Sequence, residues 1–185
     1  DIIDTFPVDG TQWSDLDEDG YGDNPEGTQG DACPARAGTS TNDRFGCVDT
    51  DGDGWSDAND AFPQVSSQHL DTDEDGYGDN PDGFQPDACP ETAGTSTQDR
   101  FGCVDADGDG WSDLNDALPE ESTQHLDSDG DGFGDNAEGV QPDACPSEYG
   151  TSSEQIFGCL DGDADGWADT TDAYPSNSLL WSDVD

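Results

Sequence analysis

A strict period of 56 residues governs this 185-residue chain. Cys33, Cys89 and Cys145 are 56 apart, as are Cys47, Cys103 and Cys159, and Trp55, Trp111 and Trp167 keep that spacing without insertion or deletion. Such a period means one supersecondary unit stacked on copies of itself, each touching only its neighbours. Three full repeats run 13–68, 69–124 and 125–180, and the first two agree at 41 of 56 positions, so one structural solution must serve them all. Residues 1–12 match the end of a repeat and 181–185 restart one, "WSDVD" against "WSDLD" at 13–17. The sequence therefore reads as a window on a longer array.

Within a repeat, Gly, Pro, Asp and Asn recur every few residues, which favours turns and penalises helix interiors. Apolar residues stand singly at fixed places, such as Tyr21, Tyr77 and Phe133, or Phe45, Phe101 and Phe157. The expected fold is a mostly irregular tandem-repeat rod with little regular secondary structure, its small aromatic clusters replacing one compact core.

Charge sets the next constraint. There are 47 acidic residues against 3 basic ones, a net charge of −44. That balance argues against nucleic acid and anionic membrane surfaces as partners. No apolar run long enough to insert into a membrane occurs in this segment. Low hydrophobicity with such charge usually means disorder, but 5 Trp, 7 Phe and 4 Tyr are too many for a disordered tail. The evenly spaced cysteines, with no C-x-x-C pair, point to disulfides and to an extracellular or cell-surface location.

Each repeat carries the pattern D-x-D-x-D-G-x-x-D-x-x-[DE] twice. The first kind comprises Asp15, Asp17, Asp19, Tyr21, Asp23 and Glu26; Asp71, Asp73, Asp75, Tyr77, Asp79 and Asp82; and Asp127, Asp129, Asp131, Phe133, Asp135 and Glu138. The second comprises Asp49, Asp51, Asp53, Trp55, Asp57 and Asp60; Asp105, Asp107, Asp109, Trp111, Asp113 and Asp116; and Asp161, Asp163, Asp165, Trp167, Asp169 and Asp172. Bare carboxylates this close repel by roughly 1 kcal/mol per pair even in water, so the neutralising charge must come from outside. Ca²⁺ takes six to eight oxygens, and a short chain supplies them from side chains at positions 1, 3 and 5, the carbonyl at 7, position 9 and a closing acid at 12, with Gly at 6 for the turn. At least six Ca²⁺ sites are expected, and Mg²⁺, which demands tighter octahedral geometry, is the poorer candidate. Position 7 is aromatic in all six loops, so its ring is expected to pack outside while its carbonyl faces the ion.

These loops, followed by Cys33-Pro34, Cys89-Pro90 and Cys145-Pro146, resemble the thrombospondin type 3 repeat family. The resemblance covers essentially the whole chain. It implies calcium ligation by the acids named above and an elongated, calcium-wrapped, disulfide-stitched extracellular structure. Two features depart from it: the Cys lies well beyond position 12, and the insert "PARAGTSTNDRFG" (34–46) has no place in the motif. Asp31, Asp87 and Asp143 are candidates for additional sites, since six ions would leave a net charge of −32 from −44. EF-hand and dockerin modules share the loop but need flanking helices, and "GTQGDACP" and "AFPQVSSQH" are poor helix formers.

Pairing within a repeat, as Cys33–Cys47, closes a short loop worth roughly 3 kcal/mol and is favoured, with Cys47–Cys89 the alternative. His69 and His125 align with Trp13 and Trp181, which points to packing sites. The "GTST" and "GTSS" runs read as exposed turns or as O-linked glycan attachment at Thr39, Ser40, Thr41 and their counterparts. With no nucleophile–base pair or phosphate-cradling loop apart from the acidic loops, an enzyme is not expected. The expected function is a calcium-rigidified structural stalk or fibre able to self-assemble; the alternatives are the spacer or binding module of a surface adhesin, or a calcium-storing matrix protein.

Overall fold

The computed structural model describes residues 4–183. Among these there is no helix, and the named strands are β1 (Ser153–Glu154) and β2 (Ile156–Phe157), an antiparallel pair. Among the described residues no helix is long and apolar enough to cross a membrane. The chain divides into two compact units, Asp1–Glu91 and Thr92–Asp185.

The interior is polar. Among the described residues, the buried apolar ones are Cys47, Cys103, Cys159 and Ala168, while the largest fully buried side chains are Gln68 and Gln124, followed by serines. So little buried apolar surface cannot offset the entropy of ordering the chain. Covalent bridges take part of that load: Cys33–Cys47 and Cys145–Cys159 are disulfides, Cys89 and Cys103 are disulfide-bonded as well, and no cysteine is free. The fold is thus an irregular, disulfide-stitched repeat.

Two kinds of connection hold successive acidic loops together. In the first repeat, the insert 34–46 reaches both loops. The Gly38 N–H donates to Asp19 Oδ2, while the Thr41 and Asn42 N–H groups donate to the Gly54 carbonyl. The second connection runs from the tail of one repeat to the first loop of the next. Gln12 and Gln68, both buried, donate through Nε2 to the carbonyls of Asn24 and Thr28, and of Asn80 and Phe84. Each also accepts through Oε1 the N–H of that same Asn. Gln124 repeats the arrangement on Asn136 and Val140 in the other unit.

Candidate metal centres

All six acidic loops share one backbone curl. The position 1 carboxylate accepts the position 4 N–H on Oδ1 and the position 6 N–H on Oδ2, at 2.7–3.0 Å throughout. Position 5 accepts the position 7 N–H, and position 9 accepts that of position 2. Position 6 has φ of 95–99°, a left-handed conformation that costs a residue with a Cβ, which is why it is always Gly. Position 4 is left-handed too, with φ of 62–81°, although Glu18, Glu74 and Ala164 occupy three of those six places.

The curl gathers carboxylates. In five named loops, beginning at Asp15, Asp49, Asp71, Asp105 and Asp127, the acids at positions 1, 3 and 5 have oxygens within 4.8 Å of one another, and one further cluster of this kind exists. The position 3 acid turns inward. Both oxygens of Asp17, Asp129 and Asp163, and Oδ2 of Asp51 and Asp107, are buried without a hydrogen-bond partner. For Asp107, burial and then the charges of Asp109 and Asp105 raise the carboxyl pKa above its ordinary value, although the N–H groups of Asp109 and Glu121 partly offset this. Buried anionic oxygens with no donor are strongly unfavourable unless a cation reaches them. An oxygen-only donor set of this density suits a hard divalent cation.

The two kinds of loop close differently. In the short loops (49–60, 105–116, 161–172) the position 12 acid is 9% exposed. Asp116 and Asp172 anchor there by donating their N–H to the position 8 carbonyl, of Ser112 and Ala168. Oδ1 of Asp60, Asp116 and Asp172 accepts the N–H two residues on. Burial, then Asp53 and Asp51, raise the Asp60 pKa, against lowering by the Phe62 N–H and His69.

In the other kind, position 12 is Glu26, Asp82 or Glu138, and all three are exposed. Their N–H groups go to Asn24, Asn80 and Asn136 Oδ1, inside turns closed by Gly27→Asn24, Gly83→Asn80 and Gly139→Asn136 bonds. The chain then returns. Asp31, Asp87 and Asp143 donate their N–H to the position 8 carbonyls of Gly22, Gly78 and Gly134, and their Oδ1 accepts the N–H of Cys33, Cys89 and Cys145. They are 2–6% exposed, and their Oδ2 atoms are buried without a partner. Burial raises the Asp31 pKa, as do Asp19, Asp17 and Asp23, against the Cys33 N–H. These loops are therefore long ones, 15–31, 71–87 and 127–143. The sequence signal was present: Asp-x-Cys stands in the long loops where Asp-x-[Phe/Leu/Tyr] stands in the short ones.

The position 7 rings lie against neighbours. Tyr21 meets Phe45 at 5.7 Å and Phe133 meets Phe157 at 5.6 Å, while Trp55 stacks on His69, Trp111 on His125 and Trp167 on Trp181 at 4.2–4.5 Å. His69 and His125 are stacking partners in the place Trp181 fills. In the insert, Ser40, Ser96 and Ser152 are fully buried. Ser40 Oγ donates to the Arg44 carbonyl and accepts the Cys47 N–H. Ser40 therefore cannot carry an O-linked glycan in the folded chain, whereas Thr39 and Thr41 are exposed.

One polar cluster was not anticipated. Asp43 accepts the Ser56 N–H and hydroxyl and the Asn59 amide, and Asp99 does the same with Ser112 and Asn115. Burial works against ionisation of Asp43 and Asp99, but these bonds and the N–H of the following Arg outweigh it and hold both at about 2. In the third repeat all three members change together, to Gln155, Ala168 and Thr171, and Gln155 sits at φ 56° between β1 and β2.

Comparison with models of known protein families gives no match, and comparison with curated protein sequences gives none.

Proposed function

We propose that this chain is a structural calcium-binding array of thrombospondin type 3 character, working outside the cell as a stalk or fibre stiffened by Ca²⁺. The observation that carries the reading is the repeated set of buried, unpartnered carboxylate oxygens facing clustered acids. Calcium supplies the charge that the cores lack, and it binds only when the loops are curled. At calcium one hundredfold above the dissociation constant each site adds roughly 2.7 kcal/mol, so six add on the order of 16. Folding is then conditional on a calcium-rich exterior, and the disulfides suit that oxidising setting. The role is mechanical rather than catalytic, because the conspicuous carboxylates are committed to the ions.

Small-angle scattering on the disulfide-intact chain tests this. With calcium, a rigid elongated particle is expected; with chelator, an expanded coil. A compact globule with calcium, or identical curves in the two conditions, would overturn the stalk reading.

A further inference from the structure

We infer that the long loops are closed by Asp31, Asp87 and Asp143, and that Gln12, Gln68 and Gln124 of the preceding segment are positioning residues for that closure. This rests on the calcium reading. The motif, read by spacing, gives the closing role to Glu26, Asp82 and Glu138, but those side chains are exposed and their backbone is spent on a turn. Asp31 instead reproduces the anchoring of a short-loop position 12 acid: N–H to the position 8 carbonyl, Oδ1 to the N–H two residues on. Its second oxygen is buried and unpartnered. Asp31 Oδ1 and Asp19 Oδ2 both lie within 3 Å of the place a Cβ on Gly46 would occupy, at 2.5 and 2.9 Å, which puts this carboxylate beside the position 5 acid. Asp143 and Asp131 flank Gly158 likewise, at 2.1 and 3.1 Å.

The five extra residues must leave the loop and come back to the same point. The buried Gln fixes that excursion by spanning it with two donated bonds and one accepted bond. A long site is therefore completed by a side chain from the segment before it, which couples calcium in one repeat to the folding of the previous one.

The test counts bound calcium by native mass spectrometry across a free-calcium series, on the oxidised chain and three variants. Asp87→Asn keeps the acceptor for the Cys89 N–H and removes only the facing charge, so it should lose one ion at calcium that saturates the parent. Asp82→Asn should lose none. Gln68→Leu, which copies Leu180 at the equivalent position, should shift one ion to roughly 10–100-fold higher calcium and leave the rest in place. Loss of an ion from Asp82→Asn, or full occupancy in Asp87→Asn, overturns the closing assignment. Equal weakening of every site in Gln68→Leu overturns the positioning role. A parent chain that binds no calcium overturns the calcium reading itself, and this inference with it.

Discussion

The loops beginning at Asp15, Asp71 and Asp127 and those beginning at Asp49, Asp105 and Asp161 are the same object up to position 9 and different objects after it. Up to that point they share the backbone bonds accepted by the acids at positions 1, 5 and 9. Beyond it, the short loops reach their closing acid in three residues, while the long ones make an excursion and arrive at an Asp eight residues on. The second difference follows from the first. Two residues after the closing Asp stands Phe62, Leu118 or Tyr174 in a short loop but a disulfide cysteine in a long one. A longer return costs more chain entropy, and the long loops offset it with a covalent bridge and a buried amide. The short loops close locally and have no such bridge at that place.

The largest effect is expected at the bridge. Replacing Cys33 and Cys47 by Ser should destabilise the chain by about 3 kcal/mol, measured by denaturant unfolding in calcium. The loss should weaken the 15–31 site more than the 49–60 site; equal weakening of both would mean that the bridge does not serve closure. Next comes position 8, which is Gly22, Gly78 and Gly134 in the long loops but Ser56, Ser112 and Ala168 in the short ones. A Cβ on Gly78 would meet the Gln68 side chain at 2.2 Å. Gly78→Ala should therefore cost about 2 kcal/mol by overpacking, although Ala is the native residue at 168. A smaller effect tests the polar cluster beside the short loops. Ser112→Ala removes the hydroxyl that donates to Asp99 at 2.7 Å, and about 1.5 kcal/mol of stability should go with it. The triple change Asp99→Gln, Ser112→Ala and Asn115→Thr, which copies the third repeat, should cost less than the sum of its single changes in a mutant cycle. Strict additivity would show that the three residues do not act as a unit.

How much of this was legible in the sequence divides along the same line. The irregular, disulfide-stitched fold could be read because Gly, Asp and Pro at fixed places answer local demands of φ and turn geometry, and the period carried one answer through all repeats. The curl of positions 1 to 9 was legible for the same reason, each residue acting on backbone within a few positions. The return of the chain at Asp31 was not, because Glu26 satisfies the spacing while the turn it stands in is tied at Asn24 by Gln12, twelve residues upstream. The burial of Ser40 was hidden likewise: it depends on the returning Arg44–Cys47 segment, and a Thr-Ser run looks exposed without it. The role of Asp43 was not legible because its partners lie 13 and 16 residues ahead, inside the next acidic loop.

On the reading proposed above, calcium, and not the chain alone, holds these loops in shape. Near-ultraviolet circular dichroism during calcium titration of the chelated, disulfide-intact protein reads it directly, because Trp55, Trp111 and Trp167 stack on His69, His125 and Trp181 next to the loops. In chelator the aromatic spectrum should be flat, and a structured one should grow with calcium and saturate near six ions per chain. A structured spectrum that is the same in chelator and in calcium would contradict that reading.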